Sequence, residues 1–220
     1  MFNKKILIVS VEIIFLIFVF LLVIWPMMSL FIWSIAETWY WPSTLPQKLG
    51  FDYWKQALGL QQSLAIGAVS IVPAFFLSLM IAIIVVVISM LIAIPAGYAL
   101  AKYRIPFGAF ILFLFLMPNA FPQQPIFVNL LRTFTKLGLA GTVSGVILVH
   151  ILVGLVFGVW ITNATFKSIP PYMEEAARSV GASRFQAFYK ITLPLAAPGL
   201  LASAVFVFIT SLDEFTGTFF

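Results

Sequence analysis

Side chains able to perform chemistry are scarce in this chain, which has seven Asp and Glu residues, one His and no Cys among its 220 residues. Without Cys there is no disulfide, no thiolate metal site and no thiol nucleophile. The sequence also lacks the phosphate-binding pattern G-x-x-x-x-G-K-[ST], the zinc pattern H-E-x-x-H and any cluster of metal ligands. We therefore expect no catalytic residue, no metal and no cofactor on this chain, which indicates that it is not an enzyme.

A few ionisable residues lie within long apolar runs, where a charged group is costly unless it faces a cavity or a partner. Asp213 and Glu214 are adjacent in the last run, and two interpretations are open for them: a place on a solute pathway, or structural hydrogen bonds to another helix. Glu12 and His150 each stand alone. For these two residues we expect interhelical hydrogen bonds rather than a site.

Residues 168–194 form the most polar stretch of the second half of the chain. The pair Pro170-Pro171 suits the start of a helix, and the pair Glu174-Glu175 then falls in its first turn, where carboxylates complement the helix dipole. Gly181 provides a left-handed residue at the end of this helix. Ser183 is a suitable N-cap for a second short helix, which reaches about Tyr189 and is stopped by Pro194.

The predicted product is a helix-turn-helix elbow, a name used below for residues 168–194. Its small apolar side chains and its bulky ones would form two surfaces: Ala176, Ala177 and Val180, and Phe185, Phe188 and Tyr189. From physics alone, an amphipathic segment that rests on the bilayer accounts for the elbow as well as a docking element does.

The composition places the elbow in a membrane protein, because 63% of the residues are hydrophobic and only 9% are charged. Apolar stretches of roughly 20 residues, the length of a membrane-crossing helix, recur along the chain. The sequence predicts an all-α integral membrane protein, a helical bundle with five spans. These cover about residues 6–24, 78–100, 107–121, 142–164 and 198–220.

The basic residues set the orientation, since Lys and Arg are enriched in cytoplasmic loops. With the N-terminus in the cytoplasm, the elbow is also cytoplasmic and the charges are biased inward. Inside would lie Lys4, Lys5, Lys102, Arg104, Lys167, Arg178, Arg184 and Lys190, and outside Lys48, Lys55, Arg132 and Lys136. These cations are scattered in polar breaks and form no basic stripe, so we expect no nucleic-acid partner.

Two regions are expected along the chain. Residues 1–62 hold the first span, with a membrane border at Trp25-Pro26, and an external interfacial segment rich in Trp, Tyr and Pro. Residues 63–220 form the transmembrane core. Within this core, Pro73 separates residues 64–76, an interfacial or re-entrant piece, from the second span.

The elbow resembles a known signature. Its residues Glu175-Ala176-Ala177, Gly181, Ile191 and Leu193-Pro194 match, with every interval intact, the EAA loop of binding-protein-dependent ABC importer permeases. The resemblance extends over about residues 75–220, through Pro95–Tyr103 and Leu137–Thr142. Phe76–Leu79 departs from the family pattern, which has Asn before the Ser. The chain is thus similar to permeases of the type I fold, which have six spans, so the sixth span would be missing through truncation.

The resemblance implies both partners and roles. The partners would be an ATP-binding subunit present as a dimer, a second permease subunit or a copy of this chain, an extracytoplasmic solute-binding protein, and membrane lipid. ATP and Mg would bind to the ATPase. Glu174 and Glu175 would meet polar or basic groups of that subunit, Gly181 would form the bend, and Ala176 and Ala177 would permit close approach. Ser211–Phe215 resembles an acidic element of the family, which favours the pathway interpretation of Asp213 and Glu214.

The function implied is that of a membrane permease subunit of an ATP-driven importer in the bacterial or archaeal inner membrane. Such a subunit would form half of the solute pathway. The solute would be a polyamine-like organic cation, as Arg178–Ser183 suggests, or a sugar, as Gln186–Phe188 and Pro198–Leu200 suggest. A secondary transporter or channel subunit that works without ATP is the alternative, and it would carry its own paired repeat and a coupling-ion site.

Overall fold

The computed structural model describes residues 4–60, 71–121 and 123–219, which are mostly helical. In chain order the elements are α1 (Lys4–Ile35), β1 (Ala36–Thr38), β2 (Lys48–Leu49), α2 (Asp52–Ala57), α3 (Ile71–Lys102), α4 (Gly108–Leu116), a 3₁₀ turn (Met117–Ala120), α5 (Gln123–Leu137), α6 (Val143–Ser168), α7 (Tyr172–Ser179), α8 (Arg184–Ala187), a π turn (Phe188–Thr192), α9 (Leu193–Asp213) and α10 (Thr216–Phe219). The predicted all-α membrane class is confirmed. The described residues also include one small hairpin, in which β1 pairs antiparallel with β2.

The chain divides into two compact units, Met1–Phe75 and Phe76–Phe220. In the first unit, α1 runs through Pro26 without ending, and the predicted membrane border at Trp25-Pro26 stays a prediction. Seven of the next nine residues, 27–35, are apolar. By continuing, the helix keeps their backbone polar groups paired.

The predicted external segment folds as the hairpin followed by α2. Glu37 binds the ammonium group of Lys48 across the hairpin, and its backbone carbonyl accepts a hydrogen bond from the Tyr53 hydroxyl at 3.2 Å. The Trp54 indole N–H donates to the Ser34 carbonyl over 2.7 Å, which ties α2 to the end of α1. The polar edges of these aromatic residues are thus paired within the chain.

In the second unit, α3 and α6 run parallel and α9 runs antiparallel to α6. Ala93 and Gly97 of α3 lie against Thr162 and Asn163 of α6. The Gly158 carbonyl of α6 accepts a hydrogen bond from Ser203 of α9 at 3.3 Å. The core is built around these crossings, and its largest fully buried side chains are Phe166, Val85, Val159 and Val207.

Small residues let these helices approach closely. A Cβ atom added to Gly97 would stand 2.2 Å from Oγ1 of Thr162, closer than any real contact. Gly158 lies between Ala93 and Val207, so α3, α6 and α9 meet at one level. Interfaces of this kind are typical of helix packing in membranes, where van der Waals contact replaces the hydrophobic effect as the driving force.

The second span begins earlier than predicted, since α3 starts at Ile71 and not near residue 78. Residues on both sides of Pro73 belong to this helix, so Pro73 does not divide residues 71–102. Residues 71–76 are therefore helical. The remainder of the predicted interfacial piece, residues 64–70, lies outside the described residues.

The predicted third span, residues 107–121, is not one helix. It consists of α4, nine residues long, and the 3₁₀ turn, and the chain continues into α5. The prolines at 118, 122 and 125 explain the break, because each lacks the N–H that a continuous helix needs.

Because α3 and α6 are parallel, the chain between them must return across the bundle. Trp160 of α6 donates to the Leu112 carbonyl at 2.8 Å, which places α4 on that return path.

The described residues contain four helices long and apolar enough to cross a membrane: Ile8–Ile35, Ile71–Lys102, Val143–Ser168 and Arg184–Asp213. Together with the broken return segment they are compatible with five crossings, and the number of spans stays a prediction. The fourth predicted span corresponds to α6, whose N-cap Thr142 accepts a hydrogen bond from the Gly145 N–H at 3.1 Å. The predicted division at residue 62 also stays a prediction.

Candidate functional site: the elbow at the end of the bundle

The first helix of the elbow, α7, begins directly after the Pro170-Pro171 pair, as its sequence predicts. Glu174 and Glu175 lie in its first turn. At the other end the Gly181 N–H donates to the Arg178 carbonyl, and the Ala182 N–H donates to the Ala177 carbonyl. This pair of hydrogen bonds is the Schellman motif, which satisfies the last carbonyl groups of a helix.

Gly181 has a φ of +95°, in the region that side chains other than glycine rarely adopt. No atom lies within 4 Å of the place where its Cβ would stand, so the need for glycine is conformational and not steric. Ser183 then caps α8 through a reciprocal capping box with Gln186. Two backbone features of the predicted bend, the left-handed Gly181 and the Ser183 cap, are confirmed.

Pro194 does not stop the second helix, and this prediction is wrong. The chain passes from α8 through the π turn directly into α9, and Pro194 lies in the first turn of α9. In a π turn each N–H bonds to a carbonyl five residues back, and the register shift accommodates the proline that follows. The fifth span is therefore continuous with the elbow and does not begin near Pro198.

The half-buried Glu174 carboxylate binds two other elements of the second unit. Its Oε2 accepts a hydrogen bond from the Tyr98 hydroxyl of α3 at 3.1 Å, and its Oε1 accepts one from the Thr192 hydroxyl at 2.5 Å. Its expected contact with the ATPase stays a prediction. Its carboxylate joins α7 to α3 and to the π turn that precedes α9.

Further contacts hold the elbow to the same end of the bundle. The Lys102 ammonium group donates to the Ile169 carbonyl at 2.6 Å, which joins the end of α3 to the end of α6. The Phe188 ring packs edge-on against the Tyr98 ring, with 4.6 Å between centroids. Phe188 was expected on the outer surface, but it belongs to the core around Phe166.

The elbow exposes several large apolar side chains and the Glu175 carboxylate, and Glu175, Val180, Phe185 and Tyr189 are called the outward patch below. Val180 is 86% exposed, Phe185 74% and Tyr189 62%, and the last two rings stack nearly parallel. Glu175 and Ala176 are also exposed, whereas Ala177 is half-buried. Of the remaining predicted elbow residues, Ile191 and Leu193 are half-buried and Pro194 is exposed. A patch of this kind on a helix end is typical of a protein contact.

Sequence reasoning missed Tyr98, Thr192 and Lys102 as residues of this site. Tyr98 and Lys102 lie within the stretch Pro95–Tyr103 that carried the family resemblance, but nothing in that stretch indicates a contact with residues about 70 positions later. Both are polar residues in the last turns of an apolar span, and this position was the sequence signal that could have indicated a role for them.

Asp213 and Glu214 lie at the C-terminal end of α9 and not in its interior. Asp213 is the last helical residue, and the backbone is extended at Glu214 before α10 begins. The two acids line a cavity of about 250 Å³ together with Thr210, Thr216 and the Phe157 ring. A helix of 21 residues measures about 32 Å, so this cavity and the elbow lie at opposite ends of α9.

His150 connects α6 to the turn between α9 and α10. Its Nδ1 lies 2.9 Å from the Ser211 hydroxyl and its Nε2 lies 2.8 Å from the Thr218 hydroxyl. The expected interhelical hydrogen bond of His150 is therefore present. Glu12, by contrast, is exposed on α1.

Comparison with known proteins identifies the family. Residues 93–220 match the family described as binding-protein-dependent transport system inner membrane component. The matched range includes the elbow, the acidic turn and the end of α3.

Two relatives have names that describe transport. The maltose/maltodextrin transport system permease protein MalG of Escherichia coli is 31% identical over an alignment of 183 positions, which covers 78% of this chain and 62% of that protein. The trehalose transport system permease protein SugB of Mycobacterium tuberculosis is 35% identical over 137 residues, 62% of this chain and 50% of that protein. The chain therefore spans half to three fifths of the length of these relatives.

A solved structure, described as a bacterial ABC transporter involved in the import of the acidic polysaccharide alginate, shares the fold. The match has a TM-score of 0.63 and 24% identity, and it covers 97% of this chain and 74% of the other. With this likeness of fold and with most of the second unit inside the family match, the chain belongs to the inner membrane components of binding-protein-dependent transport systems, the ABC importer permeases.

Proposed function

We propose that this chain works as half of the solute pathway of an ATP-driven importer and is coupled through the elbow to an ATPase on another polypeptide. The observation that carries the proposal is the outward patch of Glu175, Val180, Phe185 and Tyr189 on an element fastened to the ends of three long helices. ATP and Mg would bind to the ATPase dimer. Its closure would move the elbow and tilt the helices joined to it.

The orientation proposed puts the elbow and the N-terminus in the cytoplasm. The end of the second unit that carries the elbow also carries six basic residues: Lys102, Arg104, Lys167, Arg178, Arg184 and Lys190. The opposite end of that unit carries Arg132 and Lys136 near the end of α5. The positive-inside rule therefore favours this orientation.

The solute proposed is a carbohydrate. The two relatives are named for maltose, maltodextrin and trehalose, and the matching structure for alginate. The cavity beside Asp213 offers carboxylate and hydroxyl groups next to a Phe ring, a combination that suits a ligand with both hydroxyl groups and apolar faces. A solute-binding protein outside and a second permease subunit, or a copy of this chain, would complete the transporter.

One experiment tests coupling and solute together. In cells that contain the assembled transporter, uptake of labelled trehalose, maltose and spermidine is measured for the parent and for two variants. Val180→Asp places a charge in the outward patch, and Leu137→Asp places the same charge on an exposed apolar residue at the end of α5, outside the elbow.

We expect the parent to take up at least one of the two sugars and not spermidine. Val180→Asp should abolish uptake and release the ATPase subunit from the purified transporter, because a desolvated charge opposes docking. Leu137→Asp should retain both uptake and the ATPase subunit. Uptake of spermidine alone would contradict the carbohydrate proposal, and normal ATPase retention by Val180→Asp would contradict the docking proposal.

A further inference from the structure

Glu174 and Glu175 are neighbours in sequence but have opposite surroundings. The Glu174 carboxylate is half-buried and accepts two hydroxyl groups from other elements. The Glu175 carboxylate is exposed and has no side-chain partner among the described residues. We propose that Glu174 is a positioning residue that fastens the elbow to α3 and α9, and that only Glu175 of the pair contacts the ATPase. The second half of this inference rests on the proposed function.

Each of the two hydroxyl donors is itself fixed. The Tyr98 ring packs edge-on against the Phe166 ring with 5.4 Å between centroids, and Phe166 is fully buried. Thr192 is also fully buried. Hydrogen bonds to a carboxylate are roughly twice as strong as those between neutral groups. Two such bonds from rigid donors on different helices therefore restrict both the position and the tilt of α7.

The placement of Glu174 excludes a purely local role. A carboxylate in the first turn of a helix can accept hydrogen bonds from the N–H groups of that turn. Both oxygens of Glu174 instead bind groups of α3 and of the π turn. A displacement of α7 therefore moves α3 and the start of α9 with it. The loops at residues 169–171 and 180–183 do not bend to accommodate the displacement.

The attachment of α7 to α3 can be measured as the distance between a label on each helix. Because the chain has no Cys, two introduced cysteines can carry spin labels at defined positions. Ser179→Cys labels the exposed end of α7, and Leu91→Cys labels an exposed position of α3. The distance distribution between the two labels is recorded in lipid nanodiscs for the assembled transporter. Uptake and retention of the ATPase subunit are measured for the same variants without labels.

We expect Tyr98→Phe and Thr192→Val each to broaden the distance distribution and to lower uptake about tenfold, as the loss of a hydrogen bond to a half-buried carboxylate predicts. Both should retain the ATPase subunit. Glu174→Gln should keep the narrow distribution and retain the ATPase subunit, because its amide accepts from one hydroxyl and donates to the other. Glu175→Gln should also keep the narrow distribution but lose the ATPase subunit.

The opposite pattern overturns the inference. An unchanged distribution with unchanged uptake in Tyr98→Phe and Thr192→Val would show that Glu174 fastens nothing. Loss of ATPase from Glu174→Gln to the same extent as from Glu175→Gln would show that both carboxylates dock. If the parent itself retains no ATPase, the proposed function and the docking role of Glu175 fail, whereas the distance measurement still decides the fastening.

Discussion

At the scale of single residues, the hydrogen bonds around His150 fix the role of one ring nitrogen. The Thr218 hydroxyl donates to the Glu214 carbonyl at 2.9 Å, so its oxygen must accept from His150 Nε2–H. His150 Nδ1 lies 2.9 Å from the Ser211 hydroxyl, and in the neutral ring it accepts a hydrogen bond from that hydroxyl. The resulting chain of hydrogen bonds holds the turn that carries Asp213 and Glu214 against α6.

We predict that the residues of this hydrogen-bond network stabilise the fold as a unit. His150→Ala should lower the free energy of unfolding by about 1–3 kcal/mol, because it leaves the buried Ser211 hydroxyl without its His150 partner. In the His150→Ala, Ser211→Ala double variant the loss should be clearly less than the sum of the two single losses, since both remove the same bond. Thermal denaturation of the purified protein measures this. Additive losses in the free energy of unfolding would contradict the hydrogen bonds assigned around His150.

At the scale of the elements, Gly181 decides the bend of the elbow. Gly181→Ala meets no steric obstacle but must adopt a φ of +95°, at a cost of about 1–2 kcal/mol. Gly181→Pro cannot adopt it, because the proline ring holds φ near −65°. Uptake should fall for the alanine variant and vanish for the proline variant, while membrane insertion persists.

Gly138 provides a matched control for this prediction. It has a φ of +69° and no atom within 4 Å of its Cβ position, and it lies after α5, outside the elbow. Gly138→Ala therefore carries a similar backbone strain without touching the proposed coupling. Normal uptake in Gly181→Pro, or an equal loss in Gly138→Ala and Gly181→Ala, would count against the bend as a coupling element.

How much of these elements the sequence predicts depends on the range of the interaction. The Gly181 turn and the Ser183 cap are set by neighbouring residues, and both are predicted. The partners of Glu174 are 76 and 18 residues away, and no local rule places them on one carboxylate. Proline was the other source of error. Pro26, Pro73 and Pro194 all lie within helices that were expected to end or begin near them, because the cost of a proline depends on its place in the helix and on its surroundings.

At the scale of the whole second unit, the two candidate sites lie at opposite ends of one packed core. The elbow is continuous with the start of α9, and the acidic turn follows its end. Between them, α9 crosses α6 at Gly158, where an added Cβ would stand 3.3 Å from the Ala93 Cβ and 3.5 Å from a Val207 methyl group. A close-packed interface of this kind transmits displacement because it does not deform continuously.

The central claim is that the elbow faces the cytoplasm and is covered there by an ATPase. The absence of Cys from the chain permits a direct measurement: a membrane-impermeant maleimide is applied from each side of the membrane to Val180→Cys and, as the opposite end, to Leu137→Cys. We predict that Val180→Cys reacts only from the cytoplasmic side and is protected when the ATPase subunit is added back to stripped membranes. Leu137→Cys should react only from the outer side, with or without the ATPase. Reaction of Val180→Cys from the outer side, or no protection by the ATPase, would contradict the account.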